Sequence, residues 1–312
     1  MAANPQNVLG RLRLKQLSLM IALDQHRSLR KAASQLSMTQ SAASKALAEI
    51  ETVIGGALFE RSRAGIAPND LGRCVIRYAW LLRADVESMC QEVANIQLGR
   101  GGRLSVGAVM GAVPTVLADA VAELRASEAG ADVSIQIVED TSARLLGMLD
   151  QGQLDLVLGR PAVSPHPEQY QYQLLRDEPL NIAVGRGHEL ARARKVRFQD
   201  LQHYSWLVYP SRMPLRALLE REFAAAGMAM PQNLIETASA FATVALLRRC
   251  PDMVALLPAE ICDLFRQENM LRVLPIALVS RGQPFGVVTR AGVTPSPTAR
   301  QFIDILLRQR PA

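Results

Sequence analysis

Residues 28–54 read SLRKAASQLSMTQSAASKALAEIETVI. Ser28 precedes a short run carrying Ala32, Ala33 and Leu36, so its hydroxyl suits the N-cap of a first helix. Thr39 stands in the same relation to a second run through Ala43, Leu47 and Ile50. Only Ser37-Met38 separates the two, and helices joined by so tight a corner form a helix-turn-helix. The small side chains of Ala32, Ala33, Ala42 and Ala43 let the helices cross closely, where bulkier groups would hold them apart.

On the N-terminal side, Leu12, Leu14, Leu17, Met20, Ile21 and Leu23 recur at helical spacing and predict a helix that covers the pair. On the C-terminal side comes GGALFERSRAGIAP, residues 55–68. There Leu58 and Phe59 can close the helical core. Arg61-Ser62-Arg63 would occupy a glycine-bounded turn between two short extended pieces, which makes a wing. From Asn69-Asp70 a proline-free helix is predicted to run to Leu98, before Gly99, Gly101 and Gly102. Its apolar positions, Leu71, Val75, Tyr78, Leu82, Met89, Val93 and Ile96, follow 3/4 spacing, interrupted at Asp85. That stripe favours pairing with a second helix, because a helix this long between two domains has little of its own chain to cover it.

Gln40, Ser41, Ser44 and Lys45 cluster near the start of the second helix of the pair. If that turn entered a major groove, Gln could read adenine edges, Lys could reach guanine or phosphate, and hydroxyls could bond either. The same residues also suit an ordinary capped surface helix. Charge leans toward a polyanion. The 312 residues carry a net +6; the first 103 hold 14 Lys plus Arg against 8 Asp plus Glu, while the remainder balances at 21 of each. A local basic surplus releases counterions from nucleic acid phosphates.

Other classes find less support. Cys74, Cys90, Cys250 and Cys262 are far apart, with no CxxC or Cys/His spacing, which argues against structural zinc and a disulfide framework; Cys250 and Cys262 remain a conceivable redox pair. No apolar run approaches the ~18–20 residues needed to span a bilayer, and the first residues lack an export signal, so a cytoplasmic protein with no membrane partner is expected. Nucleophile elbow, P-loop, dinucleotide fingerprint and metal cluster are all missing, and His26, His166, His188 and His203 are scattered, so neither an enzyme nor a cofactor is expected.

After Arg103 the pattern becomes alternating strands and helices. Leu104 to Val109, Val133 to Val138 and Leu154 to Leu158 read as strands, with helices from Pro114 to Ala126 and Ser142 to Gln151 between them. This βαβαβ order implies a parallel sheet with a crevice at its strand C-termini. A second such unit opens at Leu180 to Val184 and continues through Trp206 to Tyr209, Leu234 to Glu236 and Met253 to Leu257. A strand from Gln283 to Thr289 and a helix from Thr298 to Arg308 can return to the first sheet, giving two lobes joined near 172–178 and 275–280.

The run Ser28-Leu29-Arg30-Lys31-Ala32-Ala33, then Thr39-Gln40-Ser41-Ala42-Ala43-Ser44-Lys45, Leu47, Ile50-Glu51, Ile54-Gly55, Leu58-Phe59-Glu60-Arg61 and Gly72 resembles the LysR-type DNA-binding signature. Gly152-Gln153-Leu154-Asp155 is similar to the family's G-x-L-D strand entry, and His188-Glu189-Leu190 to its H-P-L turn, with Glu189 in place of proline. Ala42, Ala43 and Pro68 also depart from the usual residues. The resemblance implies an α/β protein with a winged helix-turn-helix over residues 1–68, a linker and dimerisation helix over 69–100, and a periplasmic-binding-protein-like effector domain over 101–312. Its first lobe would span about 103–173 and 278–312, its second about 174–277. It further implies a homodimer or homotetramer on double-stranded promoter DNA, contact with RNA polymerase, and DNA bending that responds to a small-molecule effector. Ser28, Arg30, Lys31, Thr39, Gln40, Ser41, Ser44, Lys45, Arg61 and Arg63 would then face DNA.

By the same analogy Met110, Gly111, Thr141, Ser142 and Arg160 from the first lobe, with Ser211, Arg212, Ser239 and Phe241 from the second, would line the effector cleft. Helix N-termini with these hydroxyls and cations suit an anionic or hydroxylated ligand; the serines equally suit helix caps, and the arginines surface ion pairs. The second lobe looks like that of regulators of aromatic-acid and sugar catabolism. A solute-binding protein or an enzyme of the same two-lobed shape is the competing reading. Deleting residues 1–99 separates the two, since a binding protein would keep all its activity.

Overall fold

The computed structural model describes residues 5–62, 65–97, 102–128, 130–211 and 213–310. Arg63 and Arg212 lie outside them. Two compact units emerge, one of residues 1–100 with 147–153, the other of 101–146 with 154–312.

In the first unit, α1 (Pro5–Arg11) and α2 (Leu14–His26) precede α3 (Leu29–Gln35) and α4 (Gln40–Ile54). Both expected caps form: Ser28 Oγ accepts from the Lys31 amide at 3.4 Å, and Thr39 Oγ1 from the Ala42 amide at 3.2 Å. Ser37 turns the corner in the left-handed region, φ 52°, and the Met38 amide returns to the Ala33 carbonyl at 2.9 Å. Ala32, Ala33 and Ala43 are buried where the helices meet, together with Leu19, Met20, Leu23 and Ile50. Each of these larger side chains contributes about 1.5–3 kcal/mol by leaving water. Ala42 does not join them. One residue from Ala43 is 100° around the helix, and that rotation carries it to solvent.

Strands β1 (Phe59–Ser62) and β2 (Gly65–Pro68) pair antiparallel as the wing. The hairpin is fastened at its base: the Ile66 amide donates to the Arg27 carbonyl at the end of α2, at 3.1 Å. Asn69 then caps α5 (Asp70–Gln97), its Oδ1 accepting from the Gly72 amide at 2.9 Å. At ~1.5 Å per residue this helix is roughly 42 Å long. Its inner face, with Ile76 and Ala79, is buried on the helical core, while Leu71, Tyr78, Leu82, Met89 and Val93 stay exposed. No described helix is long and apolar enough to cross a membrane.

The second unit runs β3 (Arg103–Ala108), α6 (Ala118–Ala126), β4 (Ser134–Glu139), α7 (Ser142–Asp150), β5 (Leu156–Gly159), β6 (Tyr170–Arg176), β7 (Leu180–Gly185), β8 (Ser205–Val208), α8 (Pro214–Ala225), β9 (Leu234–Glu236), α9 (Ala240–Arg249), β10 (Met253–Pro258), α10 (Ala259–Gln267), β11 (Leu271–Val273), β12 (Phe285–Arg290) and α11 (Pro297–Arg308). Two five-stranded sheets result, ordered β4-β3-β5-β12-β6 and β11-β7-β10-β8-β9. Two details correct the expected pattern. Residues 172–176, anticipated as part of a crossover at 172–178, belong instead to an edge strand of the first sheet, Tyr170–Arg176, and the helix anticipated from Pro114 opens as a π-helical turn, Val113–Leu117.

Neither sheet is wholly parallel. β3, β4 and β5 are parallel, as are β8, β9 and β10, but β12 runs against β5 and β7 against β10. The register explains the reversal. Gly286 of β12 lies opposite Gly159 at the end of β5, and Leu180 of β7 opposite Pro258 at the end of β10. A chain arriving from the other lobe enters where the parallel strands finish, so it must run the opposite way.

Trp206, Phe198 and Phe223 form the aromatic centre of the second lobe, with Trp206 and Phe223 edge to face at 5.0 Å. Asp155, from the G-x-L-D segment, accepts from the Ser105 amide at 2.6 Å and so ties β5 to β3; burial raises its pKa.

His188 is buried in the second lobe, its Nδ1 accepting from the Leu190 amide at 3.0 Å and its Nε2 without a partner. The glutamate that replaces proline beside it takes the Tyr204 hydroxyl. Burial holds the imidazole pKa below 6.5, although Glu189 and Asp252 pull it back up. An unfolded histidine therefore takes up a proton near pH 6.5 before the folded one does, so this contribution to stability is complete above that pH and falls below it, by at most about 1.4 kcal/mol per unit. Buried carboxylates with raised pKa values act in the opposite sense, which makes a matched variant necessary. Urea unfolding at pH 7.5 and 5.5 is expected to show a smaller acid-side loss in His188→Gln than in the parent; equal losses would refute this assignment.

Candidate nucleic-acid interface and ligand cleft

The first turn of α4 sets its side chains by helical geometry. Ala43, Leu47 and Ile50 are buried, which turns Ser41 and Lys45, at i and i+4, directly away from the core, with Ser44 on their flank and Gln40 left exposed as the first residue of the helix. Gln40, Ser41 and Lys45 are exposed and Ser44 half-buried. Thr39, exposed as well, is engaged as the cap and shares a hydrogen bond with Ser41 at 3.1 Å. Ser28 is likewise committed to capping α3, whose first turn carries the exposed cations Arg30 and Lys31. A helix N-terminus disfavours cations, and among the described residues no carboxylate lies within ion-pair distance of Arg30, Lys31 or Lys45. The unit thus presents three uncompensated positive charges around a polar helix start. Arg61 sits in β1 opposite Ile66.

In the second unit the parallel strands of both sheets end toward the crossovers. After β3, Met110 and Gly111 form a 3-10 turn in which Met110 Sδ accepts from the Tyr209 hydroxyl of the other lobe at 3.7 Å. Thr141 Oγ1 receives the Arg144 amide at 3.4 Å, and the buried Ser142 receives the Arg160 amide at 3.2 Å. The Arg160 guanidinium, with only 11% of its side chain exposed, bonds Glu178 at 2.6 Å and the Gln283 carbonyl at 2.7 and 3.0 Å. Four of the anticipated positions, Met110, Gly111, Ser142 and Arg160, therefore gather around Glu178 and Tyr209. Ser211, Ser239 and Phe241 remain exposed on the second lobe, with Ser239 capping α9 and Phe241 76% exposed.

Sequence reasoning passed over Glu178, Tyr209, Glu260 and Glu139. Asp177-Glu178-Pro179 carries no motif, and only tertiary structure reveals its role. Burial raises the Glu178 pKa against the pull of Arg160, and Glu260 adds to the rise. Glu139 is raised by burial, and so is Glu260, one of whose carboxylate oxygens is buried without a partner. Burial likewise pushes the Tyr209 phenol far up, so it stays a neutral donor. Cys262 is a free thiol pushed up to about 12, chiefly by burial, which keeps it protonated and unreactive at neutral pH.

The comparisons agree with this two-part build. Residues 14–73 match the family described as bacterial regulatory helix-turn-helix protein, lysR family, and residues 97–311 match the LysR substrate binding domain. The HTH-type transcriptional regulator GbpR of Azospirillum brasilense is 30% identical over 298 residues, covering 95% of this chain and 86% of that protein. PcaQ of Agrobacterium fabrum, another HTH-type transcriptional regulator, is 27% identical over 291 residues, covering 92% and 91%. Among solved structures, CbnR, a LysR family transcriptional regulator, aligns over 96% of this chain and 100% of its own with TM-score 0.61 at 16% identity. Full-length CbnR bound to its target DNA gives 0.60 at 18%, with the same coverage. The structures at that identity speak to the fold, and the two domain matches with the full-length relatives speak to descent: the chain belongs to the LysR family of transcriptional regulators, with a DNA-binding helix-turn-helix and an effector-binding domain.

Proposed function

We propose that the start of α4 is the element that reads promoter DNA, with Gln40, Ser41, Ser44 and Lys45 toward base edges and Arg30, Lys31 and the wing arginines Arg61 and Arg63 toward phosphates. The observation that carries this reading is the exposed start of α4, where Gln40, Ser41 and the cation Lys45 reach solvent while Ala43, Leu47 and Ile50 are buried. Residues 1–68 then serve as the DNA-binding domain, 69–100 as the dimerisation linker and 101–312 as the effector domain. The exposed Leu71, Tyr78, Leu82, Met89 and Val93 of α5 are the surface on which a second copy pairs, and two such pairs make the tetramer. The chain acts in the cytoplasm on promoter DNA and RNA polymerase, as a regulator without catalysis of its own.

The effector sits between the lobes and shifts the protein between two arrangements by its difference in affinity for them. An uncharged, hydroxylated ligand is favoured over an anion. Arg160 is already neutralised by Glu178, and the further titratable groups nearby, Glu139 and Glu260, are carboxyl groups whose burial disfavours added negative charge. Two measurements test the reading. A mobility shift with the chain's own upstream region is expected to show specific binding. Thermal shift across polyols, sugars, aromatic acids, sulfonates and amino acids is expected to single out neutral hydroxylated compounds, since a ligand at about 100 times its Kd adds about 2.7 kcal/mol to the folded state. Stabilisation confined to carboxylates would overturn the choice of ligand, and absence of any specific shift would overturn the DNA reading.

A further inference from the structure

Two crossovers join the lobes, residues 177–179 and 274–284. On each, neighbouring residues are held by opposite lobes. Along the first, Glu178 is bonded by Arg160 from the end of β5, while the very next carbonyl, that of Pro179, accepts from the Ala259 amide at the start of α10 at 2.8 Å. Along the second, the buried Glu222 of α8 accepts from the Val279 amide at 3.1 Å and from the Ser280 amide, and Ser280 Oγ donates to the Leu218 carbonyl at 3.3 Å. Three residues later Gln283 has passed to Arg160.

One guanidinium thus grips both crossovers from the first-lobe side. The crossovers also touch one another: a Cβ at Gly282 would fall on the Glu178 carbonyl, and one at Gly111 on the Glu178 carboxylate. No side chain separates the two backbones at this point, so rotation of one lobe against the other is confined to the peptides between the grips, at 178–179 and 281–282. A planar fork can hold a carboxylate and a carbonyl at once, whereas an ammonium on a flexible stem cannot fix the same geometry.

We propose that Arg160 is a positioning residue that latches Glu178 to Gln283 and so fixes the first-lobe ends of both crossovers, confining lobe rotation to pivots at 178–179 and 281–282. This rests on the ligand-sensing reading of the two-lobed unit, and it assigns Arg160 to the hinge rather than to ligand contact. The latch stays with the first lobe, and the second lobe turns at the pivots as a body carrying Glu222 and Ala259.

Hydrogen exchange on the full-length protein tests this without any ligand. In Arg160→Lys, which retains the charge but not the fork, amides in 176–181 and 279–286 are expected to exchange at least tenfold faster than in the parent. Those of strands β3 and β10 should stay within twofold. Glu178→Gln, which keeps an acceptor for the fork, is expected to fall between parent and Arg160→Lys. Unchanged exchange at both crossovers, full rescue by lysine, or an equal rise in the strand cores would each overturn the latch, the last by showing a general structural role. Promoter binding of the parent, measured separately, decides the regulatory reading on its own.

Discussion

Replacing Gln40, Ser44 and Lys45 together by alanine is expected to lower affinity for the specific operator by about 10²- to 10⁴-fold while leaving the fold intact. A well-placed contact to a base edge discriminates by roughly 1–3 kcal/mol, and separate contacts add approximately. Because Lys45 is assigned to a base edge and not to a phosphate, the slope of log affinity against log salt is expected to change by less than about 1. Stability should change by no more than about 0.5 kcal/mol, because none of the three side chains is buried and alanine is the best helix former. The Thr39 cap is untouched. Mobility shift on specific and scrambled duplexes, with unfolding measured in parallel, checks both halves. Undiminished specific binding by a folded triple variant would remove α4 from the role of reader.

Gly72→Ala is expected to reduce the stability of the first unit by about 3 kcal/mol, the opposite of what the same change does in an ordinary helix. Gly72 lies in the first turn of α5, buried against the strand that leads into the wing. A methyl group there would land on the Leu58 carbonyl and within 3.0 Å of Pro68 Cβ. That carbonyl cannot move freely, since it also accepts from the Asn69 amide at 3.1 Å. Overpacking of this kind typically costs about 1–3 kcal/mol and more when backbone must shift. Gly147, inside α7, has nothing within 4 Å of the corresponding position, so Gly147→Ala is expected to stabilise by about 0.5–1 kcal/mol. Urea unfolding of both variants gives the comparison, and a Gly72→Ala protein as stable as its parent would contradict the packing described for the wing.

Much of the first unit was readable residue by residue. Ser28, Thr39 and Asn69 act as caps because a hydroxyl or amide oxygen ahead of an apolar-periodic run meets the unpaired amides of the first turn, a relation confined to three residues. Ala42 escaped the expectation because composition alone does not say which alanine of a neighbouring pair faces inward. In the second unit the strands of the parallel units were legible in their apolar runs, whereas the edge strand at 170–176 was passed over as connection and the short β11 was not anticipated.

The amino-acid sequence by itself determined where helices begin, which faces are apolar, that a basic helix-turn-helix precedes an α/β unit, and the family to which those residues belong. These depend on hydrophobic periodicity and on contacts a few residues apart. Tertiary structure alone decided the direction of β7 and β12, the burial of Glu178 and the capture of Arg160 by a carboxylate 18 residues away and a carbonyl 123 residues away. The reason is physical: an isolated arginine carries no mark of whether it will meet a ligand or a partner, because that depends on which distant backbone the fold brings within 3 Å of its guanidinium.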